Sequence, residues 1–218
     1  KLLLANNITP IFLKGTGNLL EGLYDDISER MVGDIDFICS KDEYLKAIQV
    51  LSDNGYDPVV KEKYSLPQFR HHPRLKKKNR IAAVEIHKEL LIEKYMHEFN
   101  YSLIIEDVQK INDATVLGFE DQLALSILSK QINDNGFNYN NIALRNAYDV
   151  FLLSKKSNVK KSFSKFKTLK NPLNSFLAIC YVTFGEIDSL EYHKTQEADN
   201  YLSLFDSLLL NERKRKSR

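Results

Sequence analysis

Apolar and polar residues alternate in short runs through the first half of the chain and gather into helical stripes in the second. The run Gly33-Asp34-Ile35-Asp36-Phe37-Ile38-Cys39 has the period of two that a strand requires, because successive side chains point to opposite faces. It predicts a strand over 34–39. Another strand is expected near 10–14, closing on the small residues Gly15-Thr16-Gly17-Asn18. Leu19, Leu20, Leu23 and Tyr24 then recur at helical spacing and predict a helix over 16–24. A helix over 42–54 opens with Asp42 and Glu43, whose charges suit the dipole, and ends where Gly55 can take a left-handed cap. Further strands are expected near 57–63 and over 81–88. In the latter, Val84 and Ile86 share one face and Ala83, Glu85 and His87 the other.

After residue 118 the pattern turns helical. Phe119, Leu123, Ile127 and Leu128 lie on one stripe, which Asn133-Asp134-Asn135-Gly136 breaks. Leu144, Tyr148, Phe151 and Leu152 form the apolar face of the next helix, with Arg145 and Asp149 spaced to pair along it. Val159, Phe163, Phe166 and Leu169 make a further stripe, Pro172 starts another helix, and 198–210 reads as a last one. The expected fold class is α+β, a sheet-bearing domain over 1–115 followed by a C-terminal helical bundle over 116–218.

Asp34 and Asp36 share the face of their strand opposite Ile35 and Phe37. Two neighbouring carboxylates repel, and in an apolar sheet one would have to take a proton. On repulsion alone, neutralising one of them would stabilise the metal-free protein. A divalent cation also removes the conflict, since Mg²⁺ and Mn²⁺ prefer hard oxygen ligands. The plainer alternative is an exposed edge strand with two solvated acids. If the 81–88 strand pairs beside this one, Glu85 adds a third carboxylate, a set able to hold two metal ions and a nucleoside triphosphate. His87 shares that face, either to contact a phosphate or the acceptor or as a hydrogen-bonded structural residue. Gly15 and Gly17 let the backbone approach a ligand, and the N–H groups that start the helix favour phosphate. Thr16 is placed for the same contact, while Lys14 either joins it or closes the strand. Arg30 offers a planar fork to triphosphate, or pairs with Glu29 or Asp26.

The residues Phe12-Leu13-Lys14-Gly15, Arg30, Gly33-Asp34-Ile35-Asp36-Phe37-Ile38, Asn54-Gly55-Tyr56 and Val84-Glu85-Ile86-His87 resemble the bacterial uncharacterised nucleotidyltransferase family. That family belongs to the superfamily with the DNA polymerase β catalytic fold, and abortive-infection toxin nucleotidyltransferases are its cousins. The likeness extends more weakly to Phe119-Glu120-Asp121-Gln122-Leu123 and to 144–150, so it covers about 10–155. Gly15-Thr16 stands where the superfamily usually has Gly-Ser, and Lys88 where this family often has Trp. The spacing to Asp34 is longer than in polymerase-like members.

The resemblance implies a polymerase β-like core, a small mixed sheet with helices. It also implies transfer of a nucleoside monophosphate from an NTP such as ATP to a hydroxyl of RNA, protein or a small molecule. Mg²⁺ or Mn²⁺ would be held by Asp34, Asp36 and Glu85, and nucleotide by Lys14, Gly15, Thr16, Arg30 and His87. The toxin cousins imply an antitoxin-type protein partner. A catalytically idle relative that binds or regulates is the competing reading, although idle relatives can lose ligands and this chain keeps all three carboxylates. A sugar-nucleotide transferase also uses Asp-x-Asp with a metal; the short segment before the triplet and the Val84-Glu85-Ile86-His87 strand argue against it.

Composition narrows the picture further. The chain, at 218 residues with 43% hydrophobic and 28% charged residues, has ample core for a soluble fold. Its apolar runs are too short to span a bilayer, so no membrane partner is expected. Cys39 and Cys180 sit in apolar segments and read as small core residues in a reducing cytoplasm. The net charge is only +2, yet cations cluster: His71, His72 and Arg74 with 76–80, seven lysines over 155–170, and a basic run over 213–218. Each cluster is either an electrostatic footprint for RNA or a solvated surface.

Overall fold

The computed structural model describes residues 1–59 and 70–211. Most of the strand expected near 57–63 and the whole basic run over 213–218 lie outside the described residues. Among the described residues seven strands form one sheet: β1 (Ile11–Phe12), β2 (Asp34–Ile38), β3 (Tyr56–Pro58), β4 (Leu75–Lys77), β5 (Ala83–His87), β6 (Gln109–Ile111) and β7 (Ala114–Val116). Their order is β3-β4-β5-β2-β1-β7-β6. The sheet is mixed: β2 runs parallel to β5, and β1 runs antiparallel to β2 and parallel to β7. The helices are α1 (Lys14–Glu21), α2 (Lys41–Asp53), α3 (Tyr101–Ile104), α4 (Phe119–Leu128), α5 (Leu144–Ser154), α6 (Val159–Ser164), α7 (Lys170–Thr183) and α8 (Gln196–Leu210).

The alternation along β2 and β5 decides which face is core. Ile35 pairs with Val84 and Phe37 with Ile86. These residues join Ile8, Cys39, Leu75 and the α2 residues Ala47 and Leu51 in one apolar cluster. The opposite face is left to Asp34, Asp36, Glu85 and His87. A capping box secures the start of α2: Ser40 Oγ accepts from Glu43 N at 3.3 Å, and Glu43 Oε2 accepts from Ser40 N at 3.2 Å. Gly55 takes φ +78° just past its end, a conformation open to glycine.

Three strands lack a signal in the sequence. In β4, buried Leu75 faces the core and the lysines follow, so the segment reads as a basic run. The pair β6 and β7 is joined by Asn112-Asp113, with Asn112 in the left-handed region at φ +54°. Each of these strands has three residues, too few for an alternation to declare itself.

The chain divides into two compact units, Lys1–Gln122 and Leu123–Arg218. Within the second, a π-turn over Ser129–Asn133 follows α4 and Gly136 N closes on Lys130 O at 2.9 Å, where the sequence predicts a break. Leu173, Phe176, Leu177 and Ile179 of α7 are buried, and α7 packs against α5 and α8. Cys39 and Cys180 are buried free thiols. No helix among the described residues is long and apolar enough to cross a membrane.

Candidate active site

β2 and β5 lie side by side in the register Asp36↔Glu85, with Asp34 opposite Ala83 and Ile38 opposite His87. Because both strands are parallel and alternate in phase, their polar residues emerge on one face. His87 Nε2 lies 2.9 Å from Asp36 Oδ1 and 3.1 Å from Glu85 Oε2. Lys14 Nζ lies 2.6 Å from Asp36 Oδ1, 3.3 Å from His87 Nε2 and 3.6 Å from Glu85 Oε2. The local chain path explains this approach. β1 pairs with β2 through Phe12↔Phe37, and Leu13 N donates to the Asp36 carbonyl at 3.0 Å, so the residue after it arrives beside Asp36.

Asp34 stands apart from this group, and its Oδ2 is 3.3 Å from Arg74 Nη1. Thr16 Oγ1 donates to the Asp34 carbonyl at 3.1 Å and so ties the first turn of α1 to β2. The glycines beside it are packed closely by protein atoms, side chain at Gly15 and backbone at Gly17. A Cβ on Gly15 would lie 2.9 Å from the Arg30 guanidinium, and one on Gly17 would lie 2.8 Å from the Phe12 carbonyl oxygen. Arg30 is buried against that turn and donates to the Met31 carbonyl at 2.7 Å.

Two further residues belong here that the sequence offered only as part of a basic cluster. Arg74 faces Asp34, and His71 Nδ1 lies 3.4 Å from Glu85 Oε1. The chain brings His71 back to β5 through a bridge to His87, with His72 N donating to the Ile86 carbonyl at 2.8 Å. The only signal in the sequence was the unusual density of His and Arg just before β4. In the second unit, several lysines of the 155–170 stretch have local partners. Lys155 Nζ sits 3.8 Å from the centre of the Phe151 ring, and Lys160 Nζ is 3.4 Å from Glu191 Oε2.

Residues 1–184 match the family described as uncharacterised nucleotidyltransferase. The chain belongs to this family. No curated protein matches it. Two solved structures from Helicobacter pylori are similar in part. One is provisionally described as a nucleotidyltransferase, at 16% identity over 95% of this chain and 88% of its own, with a TM-score of 0.41. The other, JHP933, has 17% identity over 95% of this chain and 85% of its own, also with a TM-score of 0.41.

Nucleotidyltransferases of this kind imply a divalent metal, and the donors fit one. Ligand atoms of Asp36, Glu85 and His87 all lie within 4.8 Å of one another. Two carboxylates suit a hard cation. The imidazole is better suited to orient them. Its Nδ1 is buried without a hydrogen-bond partner, whereas a ligating imidazole typically donates its second N–H. Placing the proton on Nε2 satisfies both carboxylates and leaves Nδ1 bare.

Burial alone would raise the Asp36 pKa, but the His87 hydrogen bond and the Lys14 charge outweigh it and hold the carboxyl well below its ordinary range. Glu85 is lowered for the same reasons, with His71 adding its charge. Burial also lowers His71, against the pull of Glu85. All three shifts carry one sign. Each group has a lower pKa folded than unfolded, so its contribution is complete above the unfolded value and lost as pH falls through the folded one. Urea midpoints of the metal-free protein should fall gently below His71's ordinary 6.5 and more steeply below about pH 5. A midpoint that stays level from pH 7 to pH 3 would contradict these assignments.

Proposed function

We propose that this chain is a metal-dependent nucleotidyltransferase that moves a nucleoside monophosphate from an NTP, such as ATP, to a hydroxyl acceptor. The observation that carries the reading is the parallel, in-register pairing that sets Asp36 against Glu85 on the polar face of the sheet. Residues 1–115 would form the catalytic domain and 116–218 the helical one. Asp34, Asp36 and Glu85 would hold Mg²⁺ or Mn²⁺. Bound there, the ion neutralises phosphate charge and acidifies the attacking hydroxyl. Glu85 takes the proton of that hydroxyl as its oxygen bonds to the α-phosphorus and the bond to pyrophosphate breaks. Lys14, Arg30, Thr16 and the Gly15 backbone position the triphosphate, while His87, committed to Asp36 and Glu85, orients the carboxylates instead of contacting phosphate, and positioning supplies much of the rate.

RNA, a protein or a small molecule can supply the hydroxyl, and the exposed lysines over 155–170 support RNA. The family's toxin cousins support a toxin-like role with an antitoxin-type partner. The free, buried state of both cysteines supports a cytoplasmic location. One observation favours an idle, binding-only relative: each of the three carboxylates already faces a cationic side chain, Lys14 or Arg74.

The test is incubation with each labelled NTP, Mg²⁺ or Mn²⁺, and total RNA or lysate, alongside calorimetry of nucleotide binding. Glu85→Gln should lose transfer by about 10²-fold or more while keeping most of its nucleotide affinity. Absence of metal-dependent nucleotide binding in the wild-type chain would overturn the enzyme reading and leave the idle binding or regulatory relative standing.

A further inference from the structure

Lys14 is the least expected member of the site. It begins α1 with φ +52°, in a left-handed region that residues other than glycine seldom enter. Both flanks hold it there. Leu13 N donates to the Asp36 carbonyl at 3.0 Å, and Gly17 N donates to the Leu13 carbonyl at 3.1 Å. This fixed backbone delivers a flexible side chain whose ammonium bridges Asp36 Oδ1 and Glu85 Oε2 at 2.6 and 3.6 Å. Bridging two facing carboxylates is the task of a divalent ion bound to both.

We propose that the Lys14 ammonium is the resident cation of this site. It offsets one of the two negative charges of Asp36 and Glu85 in the metal-free protein and leaves them when a divalent ion binds. The inference rests on the metal-site reading above and adds a competitor to it. An ammonium hydrogen-bonded to the same oxygen that ligates a dication places like charges only a few ångströms apart, so both cannot stay. Of the two donors on Asp36 Oδ1, Lys14 is the one able to go. Its side chain is 26% exposed on a long, flexible stem, whereas that of His87 is 1% exposed. The carboxylates are therefore kept close together without metal, and metal affinity is lower than the bare acids would give. The displaced ammonium becomes available for the phosphate groups of the nucleotide.

The experiment compares the full wild-type chain with Lys14→Met, which keeps the stem and removes the charge. Melting is followed in EDTA and in excess Mn²⁺, and Mn²⁺ alone is titrated by calorimetry. The variant should melt several degrees lower than wild type in EDTA, bind Mn²⁺ about tenfold more tightly or better, and recover most of the lost melting temperature when loaded. Equal or weaker Mn²⁺ binding by the variant overturns the inference while leaving the metal site standing. No Mn²⁺ binding by either protein overturns the metal site and the inference together.

A second measurement needs no variant. Brief acetylation of the wild-type chain with an N-hydroxysuccinimide ester, mapped by mass spectrometry, should label Lys14 several-fold faster with Mn²⁺ than in EDTA. Unchanged labelling, with Mn²⁺ binding seen by calorimetry, shows that Lys14 stays in place and overturns the inference.

Discussion

Asp36→Asn is expected to reduce nucleotidyl transfer by about three orders of magnitude while the protein still folds. Asp36 is the carboxylate on which the site converges, with Lys14 at 2.6 Å, His87 at 2.9 Å and Glu85 paired beside it. An amide in its place keeps one acceptor oxygen but offers little to a hard cation. The effect on stability is expected to oppose the one that carboxylate repulsion alone predicts. Asp36 titrates below its ordinary range because His87 and Lys14 favour its ionised form, so the folded protein gains from the charge. Removing it should therefore cost the metal-free protein about 1.5–3 kcal/mol, the range for a hydrogen bond to a charged group. Urea unfolding in EDTA and a transfer assay check the two halves separately. Retained transfer would remove Asp36 from the reaction, and increased stability would show that repulsion prevails after all.

Phe37→Ala should do the reverse. Phe37 is 2% exposed, lies in the strand that carries Asp34 and Asp36, and meets the Phe12 ring edge-on at 6.3 Å. Its truncation should cost about 3–5 kcal/mol, from lost burial and the cavity left behind. Such a loss would lower the urea midpoint sharply and could consume much of the stability of a domain this size. The site would be lost with the fold, and metal or nucleotide would restore activity only as far as it restores folded protein. A midpoint shift equivalent to less than about 1 kcal/mol would mean that the apolar face of β2 does not hold the polar face in place.

The contrast between these neighbours is legible in the amino-acid pattern itself, because alternation along 34–38 sends adjacent residues to opposite faces. The same logic applies to β5, and the signals at Asp42, Glu43 and Gly55 bracket α2. Short-range pattern stops there. It says which face a residue occupies but nothing about which strand lies alongside or in what register. Asp34 and Asp36 are equivalent in the sequence. The pairing Asp36↔Glu85 makes one of them the partner of Glu85 and His87 and leaves the other to Arg74.

The basic residues are the least legible. In the sequence His71 and Arg74 look like part of a surface run, and Lys14 like the end of a strand or a phosphate contact. A cation in a sequence carries no mark of its counter-ion, and these three meet theirs across long stretches of chain, 22 residues for Lys14 and Asp36 and 40 for Arg74 and Asp34. Local sequence thus determines the elements, their polar faces and the carboxylates available for chemistry, since propensity, caps and periodicity act within a few residues. Which acids meet, and which cations face them, is decided only by sheet register and the left-handed turn at Lys14, both products of long-range packing.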